Sequence, residues 1–198
     1  MIDFSRYTFH PVIHLPLGYE IYDFTSSYDP ERSLATGFGI GRYNEKRSGM
    51  YTAELFRQSS GMRDIHMGID IGAPIGTPVH SFWEGEVFLV GNNKAEGDYG
   101  HTLITKHQFN GTELYALYGH LSAKSIAEKI PGMKITAGEI IAWVGDKHEN
   151  GGWNPHLHFQ LSYVKPSVCD MPGVVEDSRR DEALRIYPDP RLVLGPLY

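Results

Sequence analysis

The most informative part of this chain is an eight-residue run, Ile65-His66-Met67-Gly68-Ile69-Asp70-Ile71-Gly72. Its two glycines and the nearby Pro74 disfavour a helix, so the run is predicted to be a strand. Side chains alternate along a strand, which places His66, Gly68 and Asp70 on one face and the apolar residues on the other. His66 and Asp70 can then meet above Gly68, and an imidazole beside a carboxylate is a usual donor pair for catalytic zinc. Taken alone, the run could equally be an exposed polar strand face.

A second stretch repeats this alternation and brings two more histidines to one face. His156 and His158 share that face, and the apolar residues between and after them point to the core. His120 lies at the end of another candidate strand. These groups are more than one zinc ion uses, because catalytic zinc commonly keeps three protein ligands and leaves one position to water. The two surplus histidines could transfer protons or stabilise an oxyanion, but spacing alone does not say which histidines these are.

The rest of the chain predicts a mainly β domain. The 22 glycines and 12 prolines favour short strands and turns, and Asn110-Gly111 is suited to a tight hairpin. A short helix is expected over 122–130, capped by Ser122, and a second over about 176–186. We divide the chain into an irregular N-terminal extension (1–50), the central domain (51–164) and a C-terminal extension (165–198). The candidate strands are 51–57, 66–72, 79–90, 101–108, 113–120, 139–145 and 156–164.

Composition narrows the function classes. The formal net charge is −6 and there is no basic patch, so a nucleic-acid partner is not expected. The single cysteine, Cys169, excludes a disulfide framework within the chain and a cysteine-rich zinc site. No apolar stretch is long enough for a membrane span or a signal peptide, and no obligate protein partner is indicated. The expected location is therefore cytoplasmic, or periplasmic or extracellular if a leader has been removed.

The order of these residues resembles that of the lysostaphin-type, or LytM-type, zinc endopeptidases. The similarity covers roughly residues 61–164, and three segments resemble more closely the peptidase-like domain that is fused to aminotransferases and small-molecule kinases in larger proteins. The resemblance implies a two-layer, mainly antiparallel β fold, a duplicated hybrid motif, with one or two short helices and an open groove over the metal. The segments that carry it are His66–Asp70, Gly72–Pro78, Gly85–Val87, Leu117–Ser122, Gly138–Ile141, Glu149–Leu161 and Tyr187–Leu192.

The resemblance also implies roles for single residues. His66, Asp70 and His158 would bind Zn²⁺, and His120 and His156 would be the catalytic pair. The implied activity is that of a zinc metallopeptidase hydrolysing amide bonds in peptidoglycan or in small glycine-containing peptides. Two alternatives stay open: a non-enzymatic zinc-containing binding module that retains the fold, and a cytoplasmic amide hydrolase with a non-wall substrate. A purely structural zinc site is disfavoured, because such sites usually close with four ligands and often use cysteine.

Overall fold

The computed structural model describes residues 2–29, 37–58 and 61–198. Within them, fourteen strands and three short α-helices follow one another along the chain. The helices are α1 (Ala123–Ala127), α2 (Arg180–Ile186) and α3 (Arg191–Leu194). The strands are β1 (Glu20–Ile21), β2 (Gly39–Gly41), β3 (Arg57–Gln58), β4 (Gly61–Met62), β5 (Ile65–His66), β6 (Ile69–Gly72), β7 (Pro78–His80), β8 (Gly85–Asn93), β9 (Gly100–Phe109), β10 (Thr112–Leu121), β11 (Lys134–Ile135), β12 (Ile140–Trp143), β13 (His156–Ser162) and β14 (Val174–Val175).

One eight-stranded sheet organises the molecule, in the order β1-β2-β6-β13-β10-β9-β8-β11. All its neighbours are antiparallel except β1 and β2. Three two-stranded pairs complete the described strands: β7 with β12, β5 with β14, and β3 with β4. Strands β6, β13 and β10 lie side by side within the large sheet and carry Asp70, His156, His158 and His120, whereas His66 lies on β5.

The longest hairpin forms as its sequence predicts. Phe109 of β9 pairs with Thr112 of β10, so only Asn110 and Gly111 form the turn. Both have positive φ, 46° and 86°, which matches the right-handed twist of the flanking strands. The hairpin aligns ten residues on each side. Strand β10 of this hairpin pairs with β13 and so holds β13 in the large sheet.

The main core lies between the large sheet and a second layer. Leu157 and Phe159 of β13 are buried in one cluster with Val79 of β7 and Ile141 of β12. The alternation of β13 places these apolar side chains in the core and leaves its histidines on the opposite face. The mainly β, two-layer architecture is thus confirmed.

The N-terminal segment contributes to both layers. Strand β2 pairs with β6, joining Gly41 to Asp70 and so extending the large sheet past the metal-binding candidates. At the other end of the segment, the rings of Phe9, Trp83 and Phe109 pack within 6.0 Å of one another. The division at residues 50 and 164 stays a prediction. Met1 and residues 30–36 of the proposed extension lie outside the described residues.

Several element boundaries differ from the predicted ones. The strand expected over 51–57 is instead a 3-10 turn at Glu54–Phe56 followed by β3. Tyr51 and Phe56 are both buried, whereas two residues five positions apart on one strand would point to opposite faces of the sheet. The strand expected over 66–72 is interrupted at Met67, whose N–H donates to the carbonyl of Gly173. Ser122 does precede α1, but its hydroxyl contacts Ser125 rather than capping the helix. The helices of the described residues are too short and too polar to cross a bilayer.

Candidate active site

Strand pairing brings the five candidate residues together. His158 of β13 lies opposite Asp70 of β6 on one side and opposite Gly119 of β10 on the other. His156 lies two residues before His158 on the same face, and His120 lies next to it, one residue before the end of β10. His66 comes from β5, just before the backbone turns into β6. The geometry therefore gathers residues that are up to 92 positions apart in sequence.

Three of these residues place a donor atom at the corners of a nearly equilateral triangle. His66 Nε2 lies 3.1 Å from His158 Nδ1 and 3.2 Å from Asp70 Oδ1, and His158 Nδ1 lies 3.0 Å from the same oxygen. All three side chains are buried. Among the residues that the structure describes, they are the one group whose three donor atoms have already converged.

The surrounding hydrogen-bond partners favour the tautomers in which both nitrogens of the triangle lack protons. His66 Nδ1–H donates to the carbonyl of Arg42 at 2.9 Å, which leaves Nε2 unprotonated with its lone pair free. Gln160 donates its amide to the carbonyl of Pro172, so its oxygen faces His158 and accepts from Nε2–H at 3.0 Å. The proton of His158 is therefore on Nε2, and Nδ1 is the bare atom.

Three unprotonated atoms that converge in a buried space can act together as ligands of a cation. Zinc–ligand bonds of about 2.0–2.1 Å in a tetrahedron separate neighbouring ligand atoms by about 3.3–3.4 Å. The observed edges of 3.0–3.2 Å need only a small expansion to reach that value. Burial also lowers the pKa of His66 to about 4, which keeps the ring in the neutral form that binds metals. The residues present thus fit a zinc ion.

A buried arginine fixes the carboxylate of the triangle. Arg47 Nη1 donates to Asp70 Oδ2 at 2.6 Å and its Nε donates to Glu45 at 3.0 Å, with no part of the guanidinium exposed. Burial by itself would raise the pKa of Asp70, but His66 and Arg47 outweigh that effect and hold the pKa well below its usual range. Asp70 is therefore ionised, and its Oδ1 points at the two histidines.

Gly68 makes the space that the sequence pattern anticipated. A Cβ at this position would lie 2.5 Å from the Cε1 and Nε2 atoms of His158 and 2.9 Å from the carbonyl of Phe159. Any side chain here would push the His158 ring away from the triangle. The glycine is thus required by the close approach of a neighbouring strand.

His120 and His156 form a second pair beside the triangle. Their ring centres lie 4.2 Å apart, and His156 Nε2 is 3.8 Å from Asp70 Oδ1. His120 Nδ1–H donates to the carbonyl of Asn150 at 2.7 Å, and His156 Nδ1–H donates to that of Asn154 at 2.6 Å. In the neutral rings, both Nε2 atoms are therefore unprotonated. Burial lowers the pKa of both residues, which favours this neutral form.

The backbone of His120 is held in an unusual conformation. Its φ is 63°, in the left-handed region that few residues other than glycine adopt, at an irregularity in the pairing of β10 with β9. The amide of His120 donates to Tyr99, and its carbonyl accepts from Gly145. These two bonds hold the strained residue with its ring turned towards His156.

Two cavities share part of their lining at the site and together form a groove: all five residues line the first, and Asp70 and His156 also line the second. Met50, Asp70, Trp153 and His156 line both of them. Glycines line both as well: Gly97 and Gly173 in one, and Gly37 and Gly72 in the other. A row of aromatic rings from the N-terminal segment, Tyr22, Phe24 and Tyr28, walls the second cavity.

Comparison with known proteins places this site in a defined group. The model of peptidase family M23 matches residues 64–169, which contain all five site residues. The chain belongs to peptidase family M23. The matched region also contains β6, β13 and β10, the adjacent strands of the large sheet described above.

Individual relatives include a peptidase and a cell division protein, according to their names. The chain is 40% identical over 96 residues to the DD-carboxypeptidase/endopeptidase Mpg of Neisseria meningitidis, which is 48% of this chain and 20% of that protein. It is 35% identical over 142 residues to the cell division protein DipM of Caulobacter vibrioides, 71% of this chain and 21% of DipM. It therefore spans about a fifth of the length of these relatives.

Among solved structures, the catalytic domain of lysostaphin from Staphylococcus simulans is similar over most of its length. The TM-score is 0.51 at 25% identity, and the alignment covers 80% of this chain and 93% of that domain. This likeness extends beyond residues 64–169 and supports the two-layer β fold assigned above.

The sequence patterns identified five site residues and missed those that orient them. Arg47 and Asn150 lie in loops and show no spacing signal. Gln160 was within reach, because it lies two positions after His158 on the same strand face. Extending the two-residue alternation of β13 by one step would have identified Gln160.

Proposed function

We propose that this chain is a zinc-dependent endopeptidase that hydrolyses amide bonds in peptidoglycan peptides. The observation that carries the proposal is the arrangement of protons at the site. Three unprotonated donor atoms converge on one point, and the two remaining histidines present unprotonated Nε2 atoms beside it. A binding module would have no need of two free bases next to a metal.

The proposed roles follow from these protons. His66, Asp70 and His158 hold the zinc ion. When bound, zinc supplies a Lewis acid and lowers the pKa of coordinated water towards about 7. His156 and His120 provide the base that accepts a proton from the attacking water, and the protonated ring then donates it to the leaving amine. The carbonyls of Asn154 and Asn150 stabilise whichever ring becomes charged, because each accepts from its Nδ1–H.

The substrate class is inferred from the relatives and from the groove. The names of Mpg and of the peptidoglycan DD-endopeptidase ShyA of Vibrio cholerae describe cleavage of cell-wall peptides. The glycines in both halves of the groove leave room for a peptide backbone with small side chains close to the site. A cytoplasmic amide hydrolase that acts on a different small peptide would use the same five residues. A library of short peptides is therefore needed beside peptidoglycan to distinguish the two substrates. The closer likeness to domains fused to aminotransferases and kinases also stays a prediction.

Metal analysis combined with digestion of purified peptidoglycan and of a short-peptide library tests the proposal. The protein is expected to contain one tightly bound zinc ion at the triangle and to cleave peptide cross-links. Replacing His66, Asp70 or His158 with Ala should remove this zinc. His120→Ala and His156→Ala should retain it and lower kcat by about 10²–10⁴-fold, the usual contribution of a general base.

His148→Ala is the matched control, because His148 is an exposed histidine outside the site. It should keep both zinc and activity. Cleavage of library peptides without cleavage of peptidoglycan would reassign the substrate. Bound zinc with no cleavage of either would favour the binding module instead.

A further inference from the structure

A second group of histidines lies on the surface, away from the groove. His10 and His14 belong to the N-terminal segment and His80 ends β7. The centres of their rings are 5.4 Å (His10 to His14), 5.3 Å (His10 to His80) and 5.0 Å (His14 to His80) apart. None of the three lines either cavity of the groove. We call these three residues the surface triad.

The spacing of the surface triad is that of imidazoles around one ion. A zinc–nitrogen bond of about 2.0–2.1 Å puts a ring centre about 3.2 Å from the metal, so two rings at a tetrahedral angle have centres about 5.2 Å apart. The three observed separations lie within 0.2 Å of that value. The site in the groove gives an internal reference: the rings of His66 and His158 are 5.0 Å apart at 78°, and those of His14 and His80 are 5.0 Å apart at 74°.

The backbone beneath the surface triad is already fixed. His10 N–H donates to the carbonyl of Phe82, and His80 N–H donates to the carbonyl of Val12. Val12 and Ile13, between the two N-terminal histidines, are buried in the main core. The Cα positions of all three histidines are therefore set by the fold, and only the rings need to move.

The protonation of the rings also suits a metal. His10 Nδ1 lies 2.9 Å from the carbonyl of Pro11, and His80 Nδ1 lies 3.4 Å from that of Val12, so both rings keep the proton on Nδ1 and offer Nε2. Within the described residues, no carboxylate pairs with the triad. Three adjacent imidazoles without an anion repel one another when protonated. Burial is the main cause that lowers the pKa of His80, and the neighbouring His14 and His10 lower it further.

We propose that the surface triad is a second zinc site, one that clasps the N-terminal segment to β7. Its nitrogen atoms have not converged as they have in the groove, so binding would turn chiefly the ring of His14 about its Cβ–Cγ bond, a broad and soft torsion, while His10 and His80 keep the Nδ1–H bonds that fix them. His14 is exposed and its ring makes no hydrogen bond among the described residues, so it can turn without losing one. Three neutral imidazoles and an open fourth position suit zinc, or copper and nickel among other divalent ions.

Zinc stoichiometry tests the second site independently of any peptidase activity. Equilibrium dialysis against buffered Zn²⁺ at neutral pH should give two equivalents for the intact chain. A His66→Ala/His158→Ala double variant should retain one. His14→Asn and His80→Asn should each lose only the weaker equivalent, with its apparent Kd raised at least 10-fold. Bound Co²⁺ in the double variant should show the intense visible bands of a tetrahedral site.

The matched control is His148→Asn, another exposed histidine, which should keep both equivalents. Retention of the tight equivalent by His14→Asn and His80→Asn shows that each variant is folded. The proposal is wrong if the double variant, shown by circular dichroism to be folded, binds no zinc, if the weaker equivalent survives both triad substitutions, or if His148→Asn loses it as well. Any of these results would leave the triad as three packed rings, and none would bear on the site in the groove.

Discussion

A single amide at position 160 determines which nitrogen of His158 faces the metal-binding triangle. Gln160 is fully buried, and its orientation is set by donation to the Pro172 carbonyl. The amide oxygen that remains must accept from His158 Nε2–H. Acceptors of this kind fix the tautomer and the ring orientation of metal-binding histidines and raise their basicity.

Replacing this amide should weaken metal binding without removing a ligand. We expect Gln160→Leu, which is apolar and of similar size, to reduce zinc affinity by about 10–100-fold because His158 loses its acceptor. Gln160→Glu keeps an acceptor and should restore most of the affinity. Competition with a chelator of known affinity measures both. Gln108→Leu, an exposed position on β9, is the control and should bind zinc normally; equal affinity in all four proteins would contradict the role given to Gln160.

At the scale of elements, the loop after β12 positions the catalytic candidate His120. Asn150 is fully buried, and its side-chain oxygen accepts from the amides of Gly152 and Trp153 at 3.1 and 3.0 Å. Its amide donates to the Trp153 carbonyl, and its own carbonyl receives the Nδ1–H of His120. The loop therefore holds the ring of a residue that lies on a different strand.

Shortening this side chain should separate catalysis from metal binding. Asn150→Ala loses three hydrogen bonds in a buried loop, which should cost about 1–3 kcal/mol of stability. Because the His120 ring then loses its fixed acceptor, we expect kcat to fall by about 10–100-fold with zinc content unchanged. Steady-state kinetics and metal analysis of the same preparation measure both quantities.

Asn93→Ala provides the comparison, since Asn93 donates two hydrogen bonds on β8 outside the groove. It should lose similar stability and keep its kcat. If Asn150→Ala kept the kcat of the original chain, the loop would have no part in positioning His120.

The accuracy of sequence reasoning differed between strands and loops for a physical reason. Period-two alternation predicted β13 and the shared face of its histidines, because each side chain's direction follows from its neighbours. The interruption at Met67 depends on a bond to Gly173, more than a hundred residues away, and left no local trace. The ion pair of Arg47 with Asp70 depends likewise on long-range folding, so the sequence indicated the predicted ligands but not the groups that orient them.

At the scale of the whole molecule, the N-terminal segment is packed as part of the main core. Phe9 contacts the rings of Phe4, Tyr7, Phe82, Trp83 and Phe109. The same segment supplies β2 beside β6 and the aromatic wall of the groove. Its removal would therefore affect the stability of the domain and the shape of the groove together.

The stability of two variants tests how firmly this segment belongs to the domain. Phe9→Ala should lower the free energy of unfolding by about 2–3 kcal/mol, less than for a fully buried ring. That loss corresponds to a fall in melting temperature of about 5–10 °C. Leu17→Ala lies in the same segment but is fully exposed, and it should leave both values unchanged. Urea denaturation measures the difference; equal stability of the two variants would mean that the segment is only loosely attached.

Because His66 and His158 are 92 residues apart, an ion held by both, as proposed, would act in folding as well as in chemistry. An ion held by both residues ties the chain into a closed ring, as a disulfide would, and thereby restricts the unfolded chain. For a covalent tie of about this length the chain-entropy model gives about 4–5 kcal/mol. The ring cannot close until β13 has been synthesised, so a nascent chain could not complete the site before that strand is made. Starvation for zinc would then deplete the folded protein itself, in addition to its catalytic turnover.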